Sequence, residues 1–147
     1  MKAVILAAGE GKRMHPLTYT RPKVMLPLAG KPILEHLLLN IRKAGIKEFI
    51  FVVGYHAEAV RNHFGNGERW GVDIKYVTQM KQLGTAHAIK VVEELTGDRF
   101  LVLNGDVMVE EEDIGKMMEA DGMCMGLIEV EDTTDVGVVE VEGDRVV

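Results

Sequence analysis

Ala3-Val4-Ile5-Leu6-Ala7-Ala8-Gly9-Glu10-Gly11-Lys12-Arg13-Met14 is the stretch whose reading decides the fold. Its apolar half does not alternate with polar residues, which suits a strand covered on both faces of a parallel sheet. The run breaks at Gly9, and a glycine-rich loop follows. Glycines let a backbone take positive φ and bring its N–H groups close to a ligand. Lys12 and Arg13 on the loop, and Lys23 in Pro22-Lys23-Val24-Met25-Leu26-Pro27 beyond it, make that ligand an anion, with phosphate the expected one.

Beyond Gly30-Lys31-Pro32, the positions Ile33, Leu34, Leu37, Leu38, Ile41 and Ala44 recur at three- and four-residue spacing. That predicts a helix with Pro32 at its first position and Gly45 as its stop. Residues 46–53 read as a second strand, and Ala57, Val60 and Phe64 as the stripe of a short helix closed by Gly65-Asn66-Gly67. Residues 72–78 read as a third strand. A helix with Thr85 near its N-cap, and Ile89, Val91 and Val92 among its apolar positions, runs to Thr96-Gly97-Asp98. Residues 100–103 form a fourth strand ending in Asn104-Gly105-Asp106, and a helix opens near Glu110 on acidic residues that favour its positive end. Residues 123–130 are expected as a further strand, and 136–147 as a hairpin turning at Glu142-Gly143-Asp144. Met117, Met118, Met123, Met125 and the lone cysteine, Cys124, are expected in the core.

Strand and helix alternate without repeats or a linker, so the expected class is α/β: one domain, 1–147, built on an open, mostly parallel Rossmann-like sheet with helices on both faces. Ligands of such sheets sit outside the carboxyl ends of the strands. The glycine loop, Gln79 after the third strand and Asp106 after the fourth all fall on that edge.

The chain of 147 residues has a formal net charge of −6, which argues against a nucleic-acid partner. Its first 31 residues nevertheless carry six basic residues and one acid. A cationic opening on an acidic body fits a local site for a small anion. No stretch approaches the roughly 18 apolar residues of a membrane span, and the opening run is too short for a secretion signal, so the expected location is cytoplasmic.

Two phosphate motifs can be set aside. Nothing fits GxxxxGK[ST], and the third glycine of GxGxxG is replaced by Met14. Taken singly, a Gly-x-Gly turn is more often an ordinary exposed turn, a strand-end Asp106 more often a turn former or helix cap, and Gln79 alone carries almost no signal. The five histidines show no metal-site spacing, and His15 and His87 are given no chemistry. In order along the chain, however, the motifs resemble the sugar-1-phosphate nucleotidylyltransferases. The resemblance rests on Leu6-Ala7-Ala8-Gly9-Glu10-Gly11-Lys12-Arg13, Pro16-Leu17-Thr18, Pro22-Lys23, Leu26-Pro27, Val53-Gly54-Tyr55, Gln79 with Gln82-Leu83-Gly84-Thr85-Ala86, Gly105-Asp106 and Val136-Gly137-Val138-Val139. It is nearest to glucose-1-phosphate thymidylyltransferases and UDP-sugar pyrophosphorylases.

The resemblance implies transfer of a nucleotidyl group from UTP or dTTP to a sugar 1-phosphate, releasing pyrophosphate, with a guanylyltransferase acting on mannose 1-phosphate as one alternative. It implies Arg13 on the triphosphate and departing pyrophosphate, Lys23 near the α-phosphate, and Asp106 holding Mg²⁺. Ala8, Gly9, Gln79, Gly84 and Thr85 match positions around the base and ribose, Leu6, Gly11 and Lys12 complete the nucleotide-binding set, and Gly137 matches a position that contacts the sugar. Family domains run well past 147 residues, and Val136 stands where a tyrosine is common. The chain is therefore expected to be part of a longer enzyme, with an incomplete sugar site and weak or no turnover alone. A binding module completed by a partner is the second alternative. The apolar C-terminal strand edge leaves association with another copy open.

Overall fold

The computed structural model describes residues 1–134 and 136–147. Four parallel strands form the main sheet: β1 (Lys2–Ala7), β4 (Glu48–Val53), β5 (Asp73–Thr78) and β6 (Phe100–Asn104), in the order β5-β4-β1-β6. The register pairs Lys2 with Glu48 on one side of β1 and with Phe100 on the other. Short antiparallel pairs lie outside it, β2 (Pro27–Leu28) with β3 (Lys31–Pro32) and β7 (Val141–Glu142) with β8 (Arg145–Val146). The helices are α1 (Ile33–Lys43), α2 (Ala57–Phe64), α3 (Thr85–Lys90), α4 (Glu93–Thr96) and α5 (Glu111–Glu119).

The period of two along each strand divides the core into two layers. Ala3, Ile5 and Ala7 of β1, with Phe49, Phe51 and Val53 of β4, face the larger cluster, which includes Leu34, Leu37, Leu38 and Ile41 of α1, Val60 and Phe64 of α2, and Ile114 of α5. Val4, Ile50 and Val52 face the other way, onto Ala88 and Val92. Both faces of the central strands are thus covered, which is why their sequences do not alternate. Aromatic edges lock the larger layer: the Phe51 ring meets those of Phe64 and Tyr76 at 5.4 and 5.8 Å between centroids, nearly perpendicular.

Helix boundaries follow local chemistry. Pro32 is the N-cap of α1, so the helix starts at Ile33, one residue later than expected, and Gly45, at φ 103°, donates its N–H to the Arg42 carbonyl. The helix expected after Thr85 breaks in two at Val91-Val92, two adjacent β-branched residues.

Three expectations fail past α5. Residues 123–130 form no strand, because no neighbouring strand supplies a ladder partner among the described residues. Met123 and Met125 are exposed, and only Met117 and Met118 pack against the core. Cys124 is exposed as well, where it lies beside the Met117 carbonyl instead of filling an interior gap. The hairpin turns where expected, but its paired arms shrink to two residues each. Among the described residues no helix is long and apolar enough to cross a membrane.

Candidate functional site

A cavity of about 840 Å³ opens at the carboxyl ends of β1, β5 and β6. Leu6, Ala8, Gly9, Gly11, Lys12 and Arg13 line it from the first strand and its loop, Lys23 from the following turn, Gln79, Gly84 and Thr85 from beyond β5, and Asp106 from beyond β6. All eleven are residues singled out in the sequence. Gly137 is not among the lining residues and lies in the exposed C-terminal stretch.

Side-chain hydrogen bonds and close backbone packing shape the glycine loop. Gly11 adopts φ 68°, and a Cβ there would lie 3.0 Å from the Lys23 Cβ. Thr18, fully buried, donates from Oγ1 to the Gly11 carbonyl at 2.9 Å, and the Tyr55 hydroxyl donates to the Thr18 carbonyl at 3.0 Å. Tyr55 follows β4, so the second strand braces the loop of the first. Gly105 closes the floor: its N–H donates to the Leu6 carbonyl at 2.8 Å, and a Cβ there would crowd Val24 Cγ1 at 2.9 Å and the Leu6 carbonyl oxygen at 3.1 Å.

The charges are arranged asymmetrically. Lys23 Nζ and Asp106 Oδ2 form an ion pair at 2.7 Å, with both side chains partly exposed. Lys12 lies 3.5 Å from Glu10, whereas Arg13 is exposed and in no ion pair among the described residues. The crevice therefore offers an unpaired guanidinium suited to bidentate phosphate contact. It also holds two lysines, Lys12 and Lys23, each paired with a carboxylate. Among the described residues no three His, Cys, Asp or Glu side chains cluster as a metal cage. A single carboxylate fits a cation that takes most of its ligands from phosphate and water, as Mg²⁺ does, and does not fit a tetrahedral zinc centre.

Several further groups, given no role in the sequence reading, line or brace the cavity. Gln82 donates from Nε2 to the Ala8 carbonyl at 2.7 Å, tying the loop after β5 to the end of β1. Asn104 and Met14 line the wall. His87 bonds the side chain of buried Gln79 at 2.9 Å. Asn104 was findable, as a polar residue at a strand's carboxyl end. The contacts of Gln82 and His87 depend on how the loop after β5 folds back, which residue spacing does not specify.

The sequence profile of the nucleotidyl transferase family matches residues 2–147. The chain belongs to this family. The bifunctional protein GlmU of Methanococcus maripaludis strain C5 is 40% identical over 145 residues, covering 99% of this chain and 34% of that protein. The mannose-1-phosphate guanylyltransferase of Mycobacterium tuberculosis is 40% identical over 152 residues, 99% of this chain and 42% of its own length. A solved structure of a UDP-glucose pyrophosphorylase complexed with UDP-glucose superposes with a TM-score of 0.70 at 28% identity, over 79% of this chain and 51% of that one. This nucleotidyl transferase chain thus spans about a third of the length of its GlmU relative.

Proposed function

We propose that the crevice binds a nucleoside triphosphate, UTP or dTTP, and that the protein joins it to a sugar 1-phosphate with release of pyrophosphate. The observation carrying this reading is the convergence of three separate loops: cations after β1, an amide and a glycine after β5, and a lone carboxylate after β6, all on one cavity in a member of the nucleotidyl transferase family. In the reaction, a phosphate oxygen of the sugar 1-phosphate forms a bond to the α-phosphorus. The bond from that phosphorus to the bridging oxygen breaks, and pyrophosphate carries away the electron pair. No protein nucleophile is needed, so the residues position and neutralise. Arg13 grips the β- and γ-phosphates and the departing pyrophosphate. Lys23 swings from Asp106 to the α-phosphate, leaving free the carboxylate that would hold Mg²⁺. When bound, that ion would supply charge neutralisation to the phosphates.

The place of Gly137 outside the crevice favours a second reading, binding without turnover by the 147 residues alone. The guanylyltransferase relative keeps GTP as the competing base. Calorimetry with UTP, dTTP and GTP, beside a pyrophosphate-release assay over a panel of sugar 1-phosphates, tests all of these. The expected result is Mg²⁺-dependent binding of UTP or dTTP, with release only when a sugar 1-phosphate is present. Loss of binding in Arg13→Ala supports the clamp; unaltered binding in both Arg13→Ala and Asp106→Ala overturns it.

A further inference from the structure

Gln79 begins the loop after β5, its backbone N–H donating to the Val53 carbonyl at 2.8 Å, and it is buried at 6% exposure. Its side-chain Nε2 lies between two acceptors, His87 Nδ1 at 2.9 Å and the Gly84 carbonyl at 3.4 Å. An amide NH₂ has two hydrogens and no acceptor capacity, so Gln79 donates in both contacts. Turning the amide over would set Oε1 against the Gly84 carbonyl oxygen, acceptor against acceptor, which a buried site disfavours. Donation into Nδ1 requires a lone pair there, so the neutral His87 ring carries its proton on Nε2. With both N–H groups engaged, Oε1 is the one atom of the Gln79 amide left to meet a ligand in the crevice.

We infer that His87 is a positioning residue: it fixes the Gln79 amide so that the crevice presents an acceptor to the nucleobase. The inference rests on the crevice being the nucleotide site. An acceptor at that point matches a ring N–H, which uracil, thymine and guanine carry on their pairing edge. It opposes the ring lone pair that cytosine and adenine carry there. Selectivity within a base size class then comes from a residue that need not touch the base, since a buried polar group built to pair rejects the analogue that cannot. Thr85, first residue of α3, and Gly84, its N-cap, carry the backbone that puts both acceptors on the same side of the amide.

The test compares affinities by calorimetry within two pairs of equal size, UTP against CTP and GTP against ATP, for the wild type, His87→Phe and His87→Asn. Asparagine can place an acceptor near the position of Nδ1, and phenylalanine cannot. In the wild type the ring-N–H member of the pair that binds is expected to win by about tenfold or more, ~1.4 kcal/mol. His87→Phe is expected to collapse that ratio to within about threefold while overall triphosphate affinity changes less, and His87→Asn to restore most of it. A ratio unchanged in a folded His87→Phe protein, or collapsed equally in both variants, overturns the inference. Long-range ¹H–¹⁵N spectra of the wild type at about pH 8 test it without a substitution: the Nε2–H tautomer of His87 supports it, and the Nδ1–H tautomer contradicts it. Failure of the wild type to bind any triphosphate overturns the nucleotide-site reading, and this inference with it. Binding without base discrimination overturns this inference alone.

Discussion

Two apolar runs of this chain meet opposite fates. In β4, Phe49-Ile50-Phe51-Val52-Val53 is buried throughout, between β5 and β1 in the sheet and beneath helices on both faces. In residues 123–130, Met123, Met125, Leu127, Ile128 and Val130 are all exposed, and the segment joins no ladder. Both runs are apolar enough to be expected as strands. The difference is supply of neighbours: β4 has a strand on each edge and α1, α2 and the α3–α4 segment to cover it, and the later run has none of these among the described residues. A strand is a collective object, stabilised by cross-strand pairs and coverage instead of by its own residues.

Breaking the buried side is expected to have the largest effect. Phe51→Ala removes a fully buried ring from the centre of the aromatic cluster and should cost about 3–5 kcal/mol, whereas Ile128→Ala should stay within about 0.5 kcal/mol. Urea midpoints at constant m-value measure both. An equal cost at the two sites would mean that residues 123–130 are packed after all.

Gly105 and Gly137 sharpen the same contrast in the backbone. A Cβ on Gly105 would lie 2.9 Å from Val24 Cγ1 and 3.1 Å from the Leu6 carbonyl oxygen, and one on Gly137 would meet nothing within 4 Å. Gly105→Ala should therefore destabilise by about 1–3 kcal/mol and Gly137→Ala should be neutral, read again from thermal or urea unfolding.

A smaller effect tests the electrostatics under the first half. Glu35 of α1 is nearly buried and accepts from His63 Nε2 at 2.8 Å. Burial works to raise its pKa, but the His63 contact, the Trp70 indole and the charges of His63 and Lys31 outweigh it and bring the group below its ordinary 4.5. A depressed carboxyl pKa contributes stability that is present above the ordinary value and is lost as pH falls through the lowered one. Glu35→Gln should cost about 1 kcal/mol at neutral pH. The gap between variant and wild-type melting temperatures should close as pH falls below the ordinary 4.5 and through the lowered value, and a gap independent of pH would show that the charge plays no part.

What the residues disclosed and what they withheld divide along the same line. Unalternating β1 and β4, the α1 stripe and the Gly45 stop are local signals, and the sheet and its layers follow from them. Asp106, Gln79 and the glycine loop were placeable on one edge because the carboxyl-end rule needs only strand order and direction. The ladderless 123–130 and the exposed Cys124 depend on neighbours that no window of sequence contains. The His87–Gln79 bond is of that kind too, for it forms only once a loop folds back on its own helix.

The central claim is that this edge of the sheet holds a triphosphate. Amide hydrogen exchange of the protein with and without UTP and Mg²⁺ tests it most directly, because it reports where binding acts as well as whether it does. The account predicts slowed exchange at residues 9–14 and 79–85 and at Asp106, with residues 121–134 unchanged. Protection confined to the C-terminal stretch, or none at any site with ligand in large excess, would contradict it.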